Sequence, residues 1–472
     1  MTTNKTTRTE KDSMGPMEVP ADALYGASTM RAVLNFPISD LRFSRQFIRA
    51  LGLIKKAAAE VNADLGLLDP RLAGAAAQAG QQVADGSYDE QFVVDIFQTG
   101  SGTSTNMNAN EVIATIATEI LGGDRGSKLV HPNDHVNTGQ SSNDVIPTAI
   151  HVAALIGLKE ELIPALEGLR EALAAKSREY WPIIKTGRTH LQDATPVRLG
   201  QEFLGFAGQM ERGLKRMAHA QEELSEVALG GTAVGTGVNC HPEFAARVCE
   251  KVSSATGVSI RETENHFQAQ NAIDAIVEAS SSIRTVALSL YKIANDITWM
   301  GTGPRAGIGE LILPEVQPGS SIMPGKINPV IPEALLQVIA HVVGNDTTIV
   351  MCAQRSFFEL NTMLPVAAHE LLESITLLAS ATSNFTTQCV TGLEATSHGP
   401  SMVEKGLMLG TALAPVIGYD KAAGLAKEAA KSGRTIREVA LEQTELTETE
   451  LDVILKPEKM TEPGLGGGPS GG

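Results

Sequence analysis

The chain has 472 residues, enough for about three domains of ordinary size. Hydrophobic residues make up 43% and charged residues 19%, a globular composition that excludes a disordered chain. Aromatics are only 4%, and 38 Lys and Arg against 54 Asp and Glu leave a net charge of −16; neither base-stacking surfaces nor phosphate-backbone binding fits, so no nucleic-acid partner is expected. The four cysteines (Cys240, Cys249, Cys352, Cys389) are scattered and form no CxxC, which argues against a disulfide framework. The start MTTNKTTRTEKDSMG carries no apolar stretch of a secretory signal, and no uninterrupted apolar run reaches 18 residues. A soluble, cytoplasmic protein without a membrane partner is the expectation.

Residues 1–143 read as a mixed, mostly α-helical domain, with helical periodicity over Arg45–Leu65 and Arg71–Ala84. The next domain, 144–393, is dominated by long helices. Leu155, Leu158, Leu162, Leu166, Leu169 and Leu173 mark one face of a helix, with Pro164 expected to kink it. A second stripe runs Phe203, Phe206, Met210, Leu214, Met217, Leu224. From Ile276 the pairs Ile276/Ala279, Ile283/Val286, Leu290/Ile293 and Ile297/Met300 repeat every seven residues, a coiled-coil-like seam. Two further apolar segments, about Pro332–Met351 and Pro365–Thr387, complete five rods of roughly 45 Å, a helix bundle. Such apolar rods, the Ile276–Met300 seam above all, are expected to pack against copies of themselves; the alternative is a single-chain bundle covered by the terminal domains. Residues 394–472 form a small α-helical domain with one amphipathic helix at Gly418–Gly433 and a flexible ending, GLGGGPSGG.

Four polar, glycine-rich loops interrupt the rods: TGSGTSTNMNANE (Thr99–Glu111), HPNDHVNTGQSSND (His131–Asp144), KTGRTHLQD (Lys185–Asp193) and PGSSIMPGKINPVIPE (Pro318–Glu333). Each one alone fits ordinary turn and cap chemistry. Four beside long rigid helices point to a shared polar site. Gly319–Lys326 is not a phosphate loop, because five residues separate Gly319 from Gly325 and Ile327 replaces the needed Ser or Thr. GGTAVGTG (Gly230–Gly237) follows a helix rather than a strand, against a dinucleotide site. His131 and His135 are four apart with Pro132 between them, a poor metal pair, and no metal site or cofactor is expected. In the Pro318–Glu333 loop, glycines permit an anion-binding nest, Lys326 adds a cation, and the following helix adds its positive end. A serine there could be held as an alkoxide or could hydrogen-bond a carboxylate. His190 is the natural acid–base partner, since its ordinary pKa lies nearest neutrality.

These loops carry a resemblance. GSSIMPGKINP (Gly319–Pro329) resembles the signature of the fumarase/aspartase superfamily of carboxylate-dianion lyases. TGSGTSTNMNANEVIA, HPNDHVNTGQSSND, KTGRTHLQDATP, GGTAVGTGVN and IGYDKAA follow in the family's order over nearly the whole chain. Within the superfamily the chain is most similar to the class II, iron-independent fumarases, because Arg188-Thr189-His190 stands where aspartases typically carry Arg-Thr-Gln. Arg355–Phe358 departs from the family's usual small residues.

The resemblance implies a mainly all-α, three-domain fold around a long five-helix bundle. It implies a homotetramer whose sites each draw loops from three subunits. It implies reversible hydration of fumarate to L-malate, a step of the tricarboxylic acid cycle, through an aci-carboxylate and without a cofactor. Ser320 would take the C–H proton with Lys326 supporting its charge, and His190, paired with Glu333, would serve the hydroxyl or water. Ser101, Thr103, Ser141, Ser142, Asn143, Thr189, Ser321, Lys326 and Asn328 would hold the dicarboxylate. His131, Asn133 and Asp134 match a second carboxylate site of some members. The rivals are aspartate ammonia-lyase on the same scaffold and a crystallin-like structural protein.

Overall fold

The computed structural model describes residues 6–464; the glycine-rich ending from Leu465 lies outside them. The described chain is mainly α-helical, and its strands occur as two-stranded pairs. A β-hairpin opens it, β1 (Thr7–Asp12) with β2 (Gly15–Pro20). Four helices follow: α1 (Ala27–Asn35), α2 (Arg45–Asp64), α3 (Pro70–Ala84) and α4 (Thr103–Ile120). Asp69 starts α3 by accepting the Arg71 and Leu72 N–H groups, with Pro70 at a position where its missing N–H costs nothing. Next come α5 (Ser142–Gly157) and α6 (Ile163–Glu179), then the hairpin β3 (Ile184–Thr189) and β4 (Gln192–Arg198). The remaining major helices are α7 (Leu199–Leu224), α8 (Phe244–Thr256), α9 (His266–Asn271), α10 (Asp274–Met300), α11 (Val330–Ala353) and α12 (Leu364–Gln388).

The Leu155–Leu173 stripe is one buried face, but not one uniform helix. Residues Leu158–Leu162 form a π turn between α5 and α6. Pro164 supplies the reason: its ring clashes with the carbonyl four residues back and it donates no N–H, so the backbone widens just upstream. The long rods α7, α10, α11 and α12 have 26, 27, 24 and 25 residues, about 36–40 Å at 1.5 Å per residue. That is somewhat shorter than their apolar stripes suggested.

Two compact units divide the described chain. Within the described residues, one contains those up to 165, with 213–288 and 338–380; the other contains 166–212, 289–337 and those from 381 on. Each division falls inside a long helix, so α6, α7, α10, α11 and α12 contribute residues to both. The second unit includes a C-terminal core in which Leu409, Leu413, Leu425, Ile436, Val439, Leu451 and Leu455 are buried together. Capping boxes at Thr435/Glu438 and Thr447/Glu450 start the two short helices Ile436–Gln443 and Glu448–Ile454.

The seam on α10 corrects one expectation. Ile276, Ala279, Ile283, Val286, Leu290, Ile293, Ile297 and Met300 are all buried inside a single chain. The heptad pattern therefore marks the face that packs within the chain. The apolar side chains left exposed lie off the seam: Leu288, Tyr291 and Trp299 on α10, and Val350 and Met351 on α11. Helix α11 is also the one described helix long and apolar enough to cross a membrane by length and composition, with 39% of its apolar window buried.

Candidate active site

In the first unit, two helix N-termini open beside each other. Gly102 precedes α4 with a left-handed φ of 73°, and Thr103 is the first residue of that helix. Gly100 cannot be any other residue, since a Cβ there would lie 1.8 Å from the Thr362 carbonyl oxygen. Ser141 caps α5, and its backbone N–H is taken by Asp144 Oδ1 at 2.9 Å. Ser101 Oγ and Thr103 Oγ1 share a hydrogen bond of 2.8 Å, and Thr103 Oγ1 and Ser142 Oγ share one of 2.6 Å. Three of the predicted substrate ligands thus form one hydroxyl chain at the positive ends of α4 and α5. Asn143 donates from Nδ2 to the Ala233 carbonyl at 2.8 Å, which ties the Gly230–Gly237 loop to the same place.

That glycine-rich loop is a structural support. Asp144, fully buried, accepts the Gly230 N–H at 3.1 Å and the Thr232 N–H at 2.9 Å through Oδ2. Burial pushes its carboxyl up to about 6, against the pull of the three backbone N–H donors. The sequence reading passed over Asp144 as a site residue; its place at the third position after the Ser141 cap was the available signal.

His131, Asn133 and Asp134 lie on a π turn over Pro132–Val136. His131 Nδ1 accepts the Asp134 N–H at 3.1 Å, and the His131 N–H is donated to His135 Nδ1 at 2.9 Å. The two histidines close this turn on themselves. No hydrogen bond joins His131, Asn133 or Asp134 to Ser141, Ser142 or Asn143 among the described residues.

In the second unit, the β3–β4 hairpin carries Thr189 and His190. Thr189 pairs with Gln192, leaving His190 and Leu191 as a two-residue turn. Their φ angles are 55° and 58°, the doubly left-handed geometry of a type I′ turn, which normally selects Asn and Gly. Two side-chain-bearing residues there store strain of about 1–3 kcal/mol each, and both side chains stand exposed. Further down the hairpin, buried Lys185 meets Glu202 at 2.9 Å and Glu310 at 3.0 Å, and Arg188 meets Glu310 at 2.9 Å. Burial pushes the Glu202 carboxyl up, and Lys185 opposes it. This ion network, which sequence reading missed, anchors the strained hairpin.

The same unit holds the Ser320 loop. Ser320 Oγ accepts the N–H groups of Ile322 at 3.3 Å and Met323 at 3.0 Å. The Asn328 amide donates to the Gly319 carbonyl. A Cβ on Gly319 would fall 2.0 Å from the Lys326 carbonyl oxygen, so the loop closes only with glycine. Ser321, Lys326 and Glu333 are exposed, with Glu333 in the first turn of α11. That helix starts at Val330, two residues before the predicted Pro332. Neither His190 nor Glu333 makes a side-chain hydrogen bond or ion pair among the described residues, so the expected pairing is not formed within one chain. Nor do any three His, Cys, Asp or Glu side chains among the described residues gather as a metal-binding group.

The described chain is thus mainly helical, with hydroxyl side chains at two adjacent helix N-termini in one unit and a glycine-closed serine loop in the other. The family profile described as "Lyase" matches residues 15–344, and that described as "Fumarase C C-terminus" matches 409–462. The chain is 54% identical to the class II fumarate hydratase of Halobacterium salinarum, over 97% of this chain and 98% of that one. It is 51% identical to the class II fumarate hydratase of Methylorubrum extorquens, over 97% of each. The crystal structure of a class II fumarase from Schistosoma mansoni superposes with a TM-score of 0.94 at 37% identity, covering 96% of this chain and 99% of that one. The chain belongs to the class II fumarate hydratases of the fumarase/aspartase superfamily.

Proposed function

We propose that the protein catalyses the reversible hydration of fumarate to L-malate, the observation that carries it being the Ser101–Thr103–Ser142 hydroxyl chain at two adjacent helix N-termini. Neutral hydroxyls backed by helix dipoles suit a dicarboxylate counted by hydrogen bonds, in a chain whose overall charge of −16 repels it. The named relatives, class II fumarate hydratases at about half identity over nearly full length, support the same reading. Ser141 and Asn143 extend the carboxylate contacts beside that chain, Thr189, Ser321, Lys326 and Asn328 are supplied by other subunits of a homotetramer, and His131, Asn133 and Asp134 form a separate outer carboxylate site.

In dehydration, Ser320 as alkoxide takes the proton from the carbon beside one carboxylate, and the charge spreads onto that carboxylate as the aci-acid. The two N–H groups on Ser320 Oγ and the charge of Lys326 stabilise the alkoxide; one such donor is worth about 3 kcal/mol in a transition state. His190 protonates the departing hydroxyl, and Glu333 orients and tunes it. His190 and Glu333, unpaired within one chain, meet across subunits of a homotetramer. The uncovered apolar side chains of α10 and α11 supply its interface. The chain is organised as three segments, 1–143, 144–393 and 394–472, and works in the cytoplasm, where its four free cysteines stay reduced.

The test is direct. Purified protein is mixed with L-malate or with L-aspartate and ultraviolet absorbance of the fumarate double bond is followed. Absorbance rising with malate alone is expected; a rise with aspartate alone, or with neither, overturns the reading.

A further inference from the structure

Helix α2 presents an apolar face on which Leu51, Ile54, Ala58 and Val61 are buried, and Lys55 sits on that face with 1% exposure. Its partners are neutral. Lys55 Nζ donates to Asn137 Oδ1 at 2.9 Å and to Gln140 Oε1 at 3.0 Å. Asn137 Oδ1 also receives Asn106 Nδ2 at 3.3 Å and Asn110 Nδ2 at 3.2 Å, both from α4, while Asn137 Nδ2 donates to the Gln140 carbonyl at 3.0 Å. Asn62, two turns along α2, donates to the Thr138 carbonyl at 3.0 Å. The segment leading into Ser141, Ser142 and Asn143 is thereby gripped by side chains from α2 and α4. Helix α4 also carries Thr103, whose hydroxyl meets Ser142.

Burying an ammonium costs several kcal/mol, and an apolar side chain of equal volume would fill the same space without that cost. Burial pushes the Lys55 ammonium down to about 7, with the charge of Asp144 opposing the fall. What the lysine supplies and an apolar residue cannot is a pair of strong donors that fix two amide oxygens. Without them the loop keeps its contacts to α4 but loses the register that aims its last three residues.

We propose that Lys55 is a positioning residue for the dicarboxylate pocket: by gathering Asn137 and Gln140 it sets where Ser142 and Asn143 present their donors. This rests on the fumarate/malate reading above. It also gives Asn106 and Asn110 of α4, and Asn137 and Gln140 of the segment before α5, a common task.

The test compares Lys55→Met, which keeps volume and removes the donors, with wild type in malate dehydration. Binding of succinate, a non-reacting dicarboxylate, is measured alongside by calorimetry. The expected result is a rise of about tenfold in KM and in the succinate Kd, the scale of one lost charged hydrogen bond, with kcat changed less than about threefold. In the double variant with Ser142→Ala, the KM effects fall short of multiplying, because Lys55 acts through that residue. A merely structural lysine would lower the thermal midpoint and leave KM and Kd unmoved, and that result overturns the proposal. Should Lys55→Met not assemble, Gln140→Met removes one arm of the cage, with a smaller KM rise expected and an unchanged KM refuting. Wild type that neither turns over malate nor binds succinate refutes the functional reading instead.

Discussion

Asp144 offers a prediction whose sign changes the argument. Its carboxylate is fully buried and accepts three backbone N–H groups, from Ser141, Gly230 and Thr232. Its folded pKa of about 6 stands above the ordinary value of 3.8, chiefly through desolvation. A carboxyl with a raised folded pKa contributes its full stability below the unfolded pKa and loses it as pH climbs through the folded one. The difference of roughly 2 units, at 1.36 kcal/mol per unit, is about 3 kcal/mol lost between pH 4 and 7. Asp144→Asn cannot ionise, so it escapes that loss. It also turns an amide NH₂ toward the Ser141 N–H or toward the Gly230 and Thr232 pair, leaving at least one buried donor unpaired, at a cost of about 1–3 kcal/mol. The variant is therefore less stable than wild type at pH 4, and the gap closes or reverses by pH 7. Denaturation midpoints of both proteins at pH 4, 5, 6 and 7 in one buffer series test this, because groups distant from Asp144 cancel in the difference. Lys55, whose ammonium loses the Asp144 charge in the variant, is pushed further down and destabilises the variant most at low pH, in the same direction. A gap that stays constant across the series, or widens toward pH 7, would refute the assignment of the buried charge.

His190→Gln is expected to keep the assembled protein and most succinate binding while lowering malate dehydration by about 10²–10⁴-fold. Glu333→Gln lowers the same step, and the double variant loses far less than the product, as measured by kcat across the cycle. Leu191→Gly relieves a left-handed residue at the hairpin turn and should raise stability by about 1 kcal/mol, read from the thermal midpoint; a lowered midpoint would mean that Leu191 packs against something in the assembly. Sedimentation should give a particle four times the 49.8 kDa chain, whereas a fully active monomer would defeat the shared-site mechanism.

Much of the molecule was legible before any coordinates. The period of the apolar residues located the long helices, because a helix that must bury one stripe writes that stripe at spacings of three and four. The polar motifs, GSSIMPGKINP first among them, gave the family by resemblance, and two of their glycines, Gly100 and Gly319, stand where a Cβ would strike a backbone carbonyl. Even the helix start beside Glu333 was placed within two residues.

What the pattern could not carry was direction and partnership. The α10 heptads announce an apolar seam, but a periodic stripe looks the same whether it meets another segment of its own chain or a second copy. Only the burial of the eight seam residues between Ile276 and Met300 decided for the former. Pro164 signalled an interruption, while the π turn that absorbs it depends on backbone carbonyls having somewhere to go. Lys55 stands beside Lys56 in the sequence, one enclosed and the other half-buried; their difference lies in amides 82 and 85 residues away. Asp144 likewise finds two of its donors 86 and 88 residues along the chain. Local propensity chooses helices and caps from neighbours in sequence, but the energy of a buried charge is set by whichever groups the fold brings around it, and those are known only once the chain has closed on itself.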